Sequence, residues 1–161
     1  MWAKNVKIPL RSNLKIFNKK LIAADQNNHL YFINTKNGDT LKLIPTEETL
    51  LKNKFINNLS LDNETSYFLN TYGSLYSIDN KTMRINWVFN LNQSFDLNPS
   101  NLFIGSQVIN DNNRIIVSTN NMTYTIDAIT GRIIYKKNFT STLKPILVNN
   151  CILLDKNHFS Y

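Results

Sequence analysis

Cysteine, glycine and proline are all scarce in this sequence, and each scarcity closes off a class of protein. The single cysteine, Cys151, excludes an internal disulfide and any cysteine-rich metal site. It stands in the apolar run Cys151-Ile152-Leu153-Leu154, where it reads as a small buried hydrophobe. Four glycines and four prolines among 161 residues exclude a collagen-like chain or a Gly/Pro-rich low-complexity one. No apolar stretch approaches the ~18 residues of a membrane-spanning helix. No signal peptide is expected either, because Met1-Trp2-Ala3-Lys4 leads straight into strand-like sequence. A Ser-His-Asp arrangement, a phosphate loop and a paired-carboxylate motif are all missing, so no catalytic residue is assigned.

Runs of one charge are missing too. The formal charge is +7, yet the basic residues are scattered and cluster no further than Lys19-Lys20 and Lys136-Lys137. Without a basic patch or an interleaved aromatic platform, nucleic acid is not an expected partner. What the chain has in plenty is asparagine, roughly one residue in six. Asparagine tolerates left-handed turn conformations, so it can do turn work usually given to glycine. A hydrophobic content of 42% lies in the globular range, and the length allows a sizeable core.

Internal self-similarity carries the most information. Leu30-Tyr31-Phe32-Ile33-Asn34, Leu75-Tyr76-Ser77-Ile78-Asp79 and Thr123-Tyr124-Thr125-Ile126-Asp127 share one pattern, with tyrosines 45 and then 48 residues apart. Each segment follows an apolar run, respectively Leu21-Ile22-Ala23-Ala24, Tyr67-Phe68-Leu69 and Ile115-Ile116-Val117. A short polar turn separates the two runs each time, which predicts a β-hairpin. Four residues beyond Asn34, Asp79 and Asp127 stand Gly38, Met83 and Gly131. An Asx side chain accepts hydrogen bonds from turn amides, and glycine suits the positive φ that closes such a turn. Met83 breaks that rule. A further strand then follows, with Trp87 and Tyr135 eight residues past the aspartate. A strand before the hairpin is predicted at Asn13-Leu14-Lys15-Ile16-Phe17 and at Leu102-Phe103-Ile104-Gly105.

Four short antiparallel strands recurring at ~45 residues are the signature of a β-propeller blade. The predicted fold class is therefore all-β, a propeller of four-stranded antiparallel blades with about three and a half blades present. The blades fall approximately at 9–44, 55–90 and 102–139, with a half blade at 144–161 in which Tyr161 takes the place of Tyr124. Trp2 is read as the outer-strand aromatic of a preceding blade. On this reading the chain is an interior piece of a longer propeller, and in isolation its open ends favour self-association.

The pattern Leu-Tyr-x-Ile-Asp, then Thr-Gly, then a strand ending in Trp resembles the pyrroloquinoline-quinone-like propeller repeats. Gly73-Ser74-Leu75-Tyr76-Ser77-Ile78-Asp79 through Trp87 matches it best, and Thr130-Gly131 supplies the Thr-Gly pair of the third repeat. Met83 departs from it. The resemblance covers nearly the whole chain, and it implies one of two functional kinds. One comprises quinone-dependent dehydrogenases, with pyrroloquinoline quinone on the propeller axis, calcium and an adjacent cysteine pair. The other comprises non-catalytic scaffolds, notably the BamB-type assembly factors, periplasmic lipoproteins that help insert outer-membrane β-barrels. A lone cysteine favours the scaffold. The resemblance thus implies no cofactor, no enzyme activity, protein partners such as the outer-membrane barrel-assembly complex, and a periplasmic location. Membrane association would come only through a lipoprotein anchor or a partner.

Among candidate site residues, Asp25, Asp79 and Asp127 lie at turns and read as structural, as does Asn34. Tyr31, Tyr76, Tyr124 and Trp87 recur at blade positions and read as inter-blade packing. His29 and His158 lack metal-ligand spacing. Pro45-Thr46-Glu47-Glu48-Thr49-Leu50-Leu51 reads as the start of a short helix with Thr46 as its N-cap. The polar connection from Leu91 to Asn101 carries Phe95, Asp96 and Leu97, the expected partner-binding residues, since long loops on rigid scaffolds concentrate binding.

Overall fold

The computed structural model describes residues 2–48, 56–92, 103–119, 121–141, 143–148 and 151–153. Among these residues every regular element is a β-strand. The first sheet comprises β1 (Lys15–Phe17), β2 (Lys20–Ala24), β3 (Leu30–Asn34) and β4 (Thr40–Ile44) in that spatial order. The second repeats it with β5 (Asn58–Asp62), β6 (Thr65–Leu69), β7 (Ser74–Asp79) and β8 (Arg84–Asn90). The third comprises β9 (Ile109–Asp111), β10 (Arg114–Ser118), β11 (Thr123–Asp127) and β12 (Ile133–Lys137). A hairpin of β13 (Ile146–Val148) and β14 (Cys151–Leu153) follows. All pairings are antiparallel, and the fold is that of β-propeller blades.

The first strands of successive sheets, β1, β5 and β9, lie against one another. They therefore sit on the inner side of the array, with β4, β8 and β12 outermost. Two-residue turns join the first strand to the second. Such turns take positive φ at one or both central positions to match the strand twist; asparagine meets much of that need, including Asn63 at φ 27° in the second sheet. Asn18 and Lys19 have φ of 43° and 63°, and Asn112 and Asn113 have 45° and 61°.

The apolar residues of the middle strands face both ways because each sheet is covered on both sides. On β6, Phe68 packs toward the first sheet with Ile22, Leu30 and Phe32. Tyr67 and Leu69 pack toward the third with Ile115 and Val117. On β7, Leu75 belongs to the second of these clusters, while Tyr76 and Ile78 belong to the first. The two-residue offset from Tyr76 to Ile78 keeps both on one face, because the extra residue at the register shift between Ser77 and Ile78 is Asn86 on β8.

Two local expectations are corrected. Leu102 to Gly105 does not form the first strand of the third blade. Leu102 lies outside the described residues, Phe103 and Ile104 are irregular, and Gly105 makes a single bridge to Thr119. That segment packs rather than pairs: a Cβ at Gly105 would lie 3.0 Å from the Phe103 ring and 3.1 Å from Leu69. The strand is Ile109–Asp111, paired to β10 through the Asn112-Asn113 turn. Likewise, residues 45–48 are not helical. The Thr46 hydroxyl donates to the Asn28 carbonyl (2.7 Å) and so ties the chain sideways instead of capping a helix. Thr49 to Leu51 lie outside the described residues.

Candidate interaction surface at the blade joints

The turns joining third to fourth strands are built alike in all three sheets. Asp79 Oδ1 accepts the Lys81 and Thr82 amides (2.9 and 2.6 Å) and the Thr82 hydroxyl (2.9 Å). Asp127 Oδ1 does the same with Ile129 and Thr130 (3.1 and 2.7 Å) and the Thr130 hydroxyl (2.8 Å). Asn34 Oδ1 accepts the Lys36 amide (2.8 Å). The backbone amides of Gly38, Met83 and Gly131 close the turns onto the Asn34, Asp79 and Asp127 carbonyls. Hydrogen bonds from the Thr82 and Thr130 backbone amides hold both aspartate pKa values below the ordinary carboxylate range. Both carboxylates are thereby engaged within their own turns.

Each such turn receives a group from the chain that precedes its sheet, although Trp2, expected on an outer strand, lies in irregular backbone. The Trp87 indole stacks over Gly131, where an added Cβ would come within 2.7 Å of the ring, and its Nε1–H donates to the Ala128 carbonyl (3.0 Å). Trp2 treats Gly38 in the same way, with a would-be Cβ contact of 2.6 Å and Nε1–H donating to the Thr35 carbonyl (2.7 Å). Glycine is required there twice over, since φ is +78° at Gly38 and +72° at Gly131. At the middle turn both partners change together. The residue in register with Trp87 on β4 is Lys42, and Met83 replaces glycine at φ +55°. Met83 packs instead against the first cluster. The Asn80 carbonyl, counterpart of Ala128, is capped by the Lys20 ammonium (2.6 Å), which also reaches the Lys81 carbonyl (3.2 Å).

At the opposite end, residues 45–48 strap the first sheet to the second. The Glu47 carboxylate accepts from Asn70 Nδ2 (2.9 Å), Ser74 Oγ (3.1 Å) and the Tyr76 hydroxyl. Asn28 Nδ2 donates to the Glu47 carbonyl (2.7 Å), while Asn28 Oδ1 accepts from the Thr71 amide and hydroxyl (3.1 and 2.9 Å). Partial burial would raise the Glu47 pKa, but hydrogen bonds led by Tyr76 outweigh it and lower the value. Burial, and then the bond to Glu47, push the Tyr76 hydroxyl well above its ordinary value. Asp25 is fully buried, and its carboxylate accepts the Asn27 and His29 amides, His29 Nδ1 and the Tyr31 hydroxyl.

The repeat tyrosines divide accordingly. Tyr76 and Tyr124 lie in the two inter-sheet clusters, and Tyr31 is tied to Asp25. His29 has two carboxylate partners, Asp25 Oδ2 at 3.0 Å and Glu48 Oε1 at 3.2 Å. Even so, no cluster of three or more His, Cys, Asp or Glu suited to a metal occurs among the described residues. Phe95, Asp96 and Leu97, together with His158 and Tyr161, lie outside them. Sequence reasoning missed the Glu47 strap because Thr-Glu-Glu after a proline also spells a helix start. It missed the role of Lys20 because a lone lysine at a strand start carries no pattern.

No protein-family model and no curated protein sequence matches the chain. Solved structures do. BamB from Moraxella catarrhalis aligns at 15% identity with a TM-score of 0.73, over 86% of this chain and 43% of its own. Sqt1 of Saccharomyces cerevisiae aligns at 18% identity and 0.67, over 90% of this chain and 41% of its own. Quinohemoprotein alcohol dehydrogenase from Comamonas testosteroni aligns at 12% identity and 0.63, over 81% of this chain and 21% of its own. These likenesses define the fold: the chain has the β-propeller fold that all three of these neighbours share. It spans less than half the length of each of these three neighbours.

Proposed function

We propose that this chain is part of a non-catalytic β-propeller scaffold that holds a protein partner, in the service of outer-membrane β-barrel assembly in the bacterial periplasm. One observation carries the non-catalytic part. Asp25, Asp79 and Asp127, the acids at turn positions, spend their lone pairs on turn amides and neighbouring hydroxyls. A quinone enzyme needs a base and oxygen ligands for a divalent cation converging on the axis. The chain has one cysteine where the dehydrogenase resemblance implies an adjacent pair. The fold likeness to BamB and the Leu-Tyr-x-Ile-Asp repeats support the assembly role. Its partner is then a barrel-assembly subunit, reached through loops on one propeller face, with Phe95, Asp96 and Leu97 as contact residues. Any membrane association comes through a lipid anchor or the partner. The chain in isolation self-associates through its unpaired edges.

The competing reading, a fragment of a pyrroloquinoline-quinone-dependent dehydrogenase, draws on the fold shared with the quinohemoprotein enzymes. A dye-linked dehydrogenase assay on the full-length parent, supplied with pyrroloquinoline quinone and calcium, separates the two. Turnover of an alcohol or sugar overturns the scaffold reading. Absence of turnover, together with co-purification of barrel-assembly subunits, supports it.

A further inference from the structure

Leu153 is exposed at a position that is buried in each of the three four-stranded sheets. The second strands begin at Lys20, Thr65, Arg114 and Cys151, so Leu153 is equivalent to Ile22, Tyr67 and Ile116. Those three are at most 3% exposed, whereas Leu153 is 56% exposed. Its partner across the hairpin is Ile146, 59% exposed and equivalent to Ser60, which pairs with Tyr67. On the second sheet this face lies against the third. Tyr67 packs there with Ile115 and Val117, and the Ser60 hydroxyl donates to Asn110 Oδ1. The hairpin thus presents to solvent the face that its counterpart, β5 with β6, buries against the next sheet.

The first sheet carries the complementary face. Ile16, 66% exposed, pairs with Leu21 as Asn110 pairs with Ile115. It therefore stands where Asn110 receives Ser60. At the second-to-third joint both members of that pair are polar. Ile146 and Ile16, the equivalent pair left open, are both apolar, which is the matched change that a buried contact between them requires. Trp2 marks the same face. It lies over Gly38 as Trp87 lies over Gly131, so it holds the place of an outer-strand tryptophan from a preceding sheet. Its backbone is irregular, whereas Trp87 is held by pairing with Ser77 on β7.

We propose that two copies of this chain close one ring, with Ile146 and Leu153 of each copy packed on Ile16 and Leu21 of the other. The pair has a two-fold axis, so the same joint is made twice. Trp2 of one copy then lies at the outer side of the hairpin sheet of the other. Each copy brings four sheets, and two copies give eight, within the usual blade number of a propeller. The lengths agree: the alignment that covers 86% of this chain covers 43% of BamB, which is therefore about twice as long. The inference narrows the self-association stated above to one interface. It rests on blade register and not on the assembly role, so its failure leaves the dehydrogenase and co-purification tests untouched.

Sedimentation velocity of the 161-residue chain over a concentration series tests it. A discrete two-copy species is expected to form and to grow no further up to about 100 μM, since a closed ring leaves no joint free. Ile16→Lys and Ile146→Glu each carry a charge into the joint from a position exposed in the single chain. Each is expected to weaken the dimer at least about tenfold while leaving the far-ultraviolet circular dichroism unchanged. In a Cys151→Ser background, oxidised Ile16→Cys chains are expected to cross-link to Ile146→Cys chains and not to one another. The proposal is overturned by a chain that stays monomeric, by open-ended growth with concentration, by a folded charged variant that dimerises as the parent does, or by Ile16→Cys chains that cross-link among themselves. Should the charged variants lose the parent's dichroism, the cross-linking pair decides alone.

Discussion

The joint between the first and second sheets and the joint between the second and third solve one packing problem with different chemistry. The second-to-third joint is aromatic. Trp87 lies on Gly131, its ring centroid is 6.3 Å from that of Tyr67, and Phe89 meets Tyr124 edge-on at 6.2 Å. The first-to-second joint keeps an apolar centre around Phe68, Phe32 and Ile22, but both of its ends are polar. Lys20 caps one turn there, and the Glu47 strap holds the other end. The difference teaches that the conserved quantity is not the tryptophan but a cap on the turn carbonyl, together with a side chain that fits the space above the turn's closing residue. Tryptophan with glycine satisfies both needs at once. Lys20 with Met83 satisfies them separately.

The largest effect is expected from breaking the aromatic joint. Trp87→Ala removes the indole from Gly131 and Tyr67 and leaves the Ala128 carbonyl without its donor. Because Trp87 is only partly buried, the expected loss is about 3 kcal/mol, at the low end for truncating a packed tryptophan. Chemical denaturation of the chain and its variant measures it. Gly131→Ala attacks the same joint from the other side, forcing a Cβ at 2.7 Å from the ring and φ +72° on an alanine. A loss of about 1–3 kcal/mol is expected. If either change is silent, the two joints do not differ as described.

Smaller effects are expected at the polar joint. Tyr76→Phe deletes one donor to a solvent-accessible carboxylate, with an expected loss of about 1 kcal/mol. The same strap makes the joint sensitive to acid. The Glu47 pKa is lowered on folding, so its contribution is fully present above the ordinary glutamate value and is lost as pH falls through the folded one. Asp79 and Asp127 act in the same direction, but their contribution is lost only at lower pH, below the ordinary aspartate value. Stability is therefore expected to fall below about pH 4.5, and Glu47→Gln is expected to flatten that fall without abolishing it. Unfolding curves across pH 3 to 7 for both chains check the sign; an acid limb as steep in the variant would detach Glu47 from the joint.

Much of the fold was legible because the repeated tyrosine hairpin is local: its strands are neighbours in sequence, and its turns need asparagine, aspartate or glycine at fixed offsets. Ile109–Asp111 was not legible, since three residues reading Ile-Asn-Asp carry no apolar alternation, whereas Leu102 to Gly105 look like a strand, yet Phe103 and Ile104 are irregular and Gly105 lies against Leu69. The turn role of Asp79 and Asp127 could be read from spacing. The couplings from Lys20 to Asn80 and from Glu47 to Tyr76 could not, because each joins residues of different blades, 60 and 29 positions apart. Met83 looked like a defect in the repeat. Seen with Lys42 one blade earlier, it is the matching half of a pair.

That pairing is the centre of the account, and a double-mutant cycle at positions 42 and 83 tests it most directly. Lys42→Trp and Met83→Gly are each expected to be neutral or destabilising alone, because a tryptophan meets no glycine in the first case and the space over Met83 is emptied in the second. Together they should rebuild the aromatic joint, with a favourable coupling of about 1 kcal/mol from the double variant relative to the sum of the singles. Strict additivity would contradict it and leave the joint change from tryptophan-glycine to lysine-methionine as two unrelated substitutions.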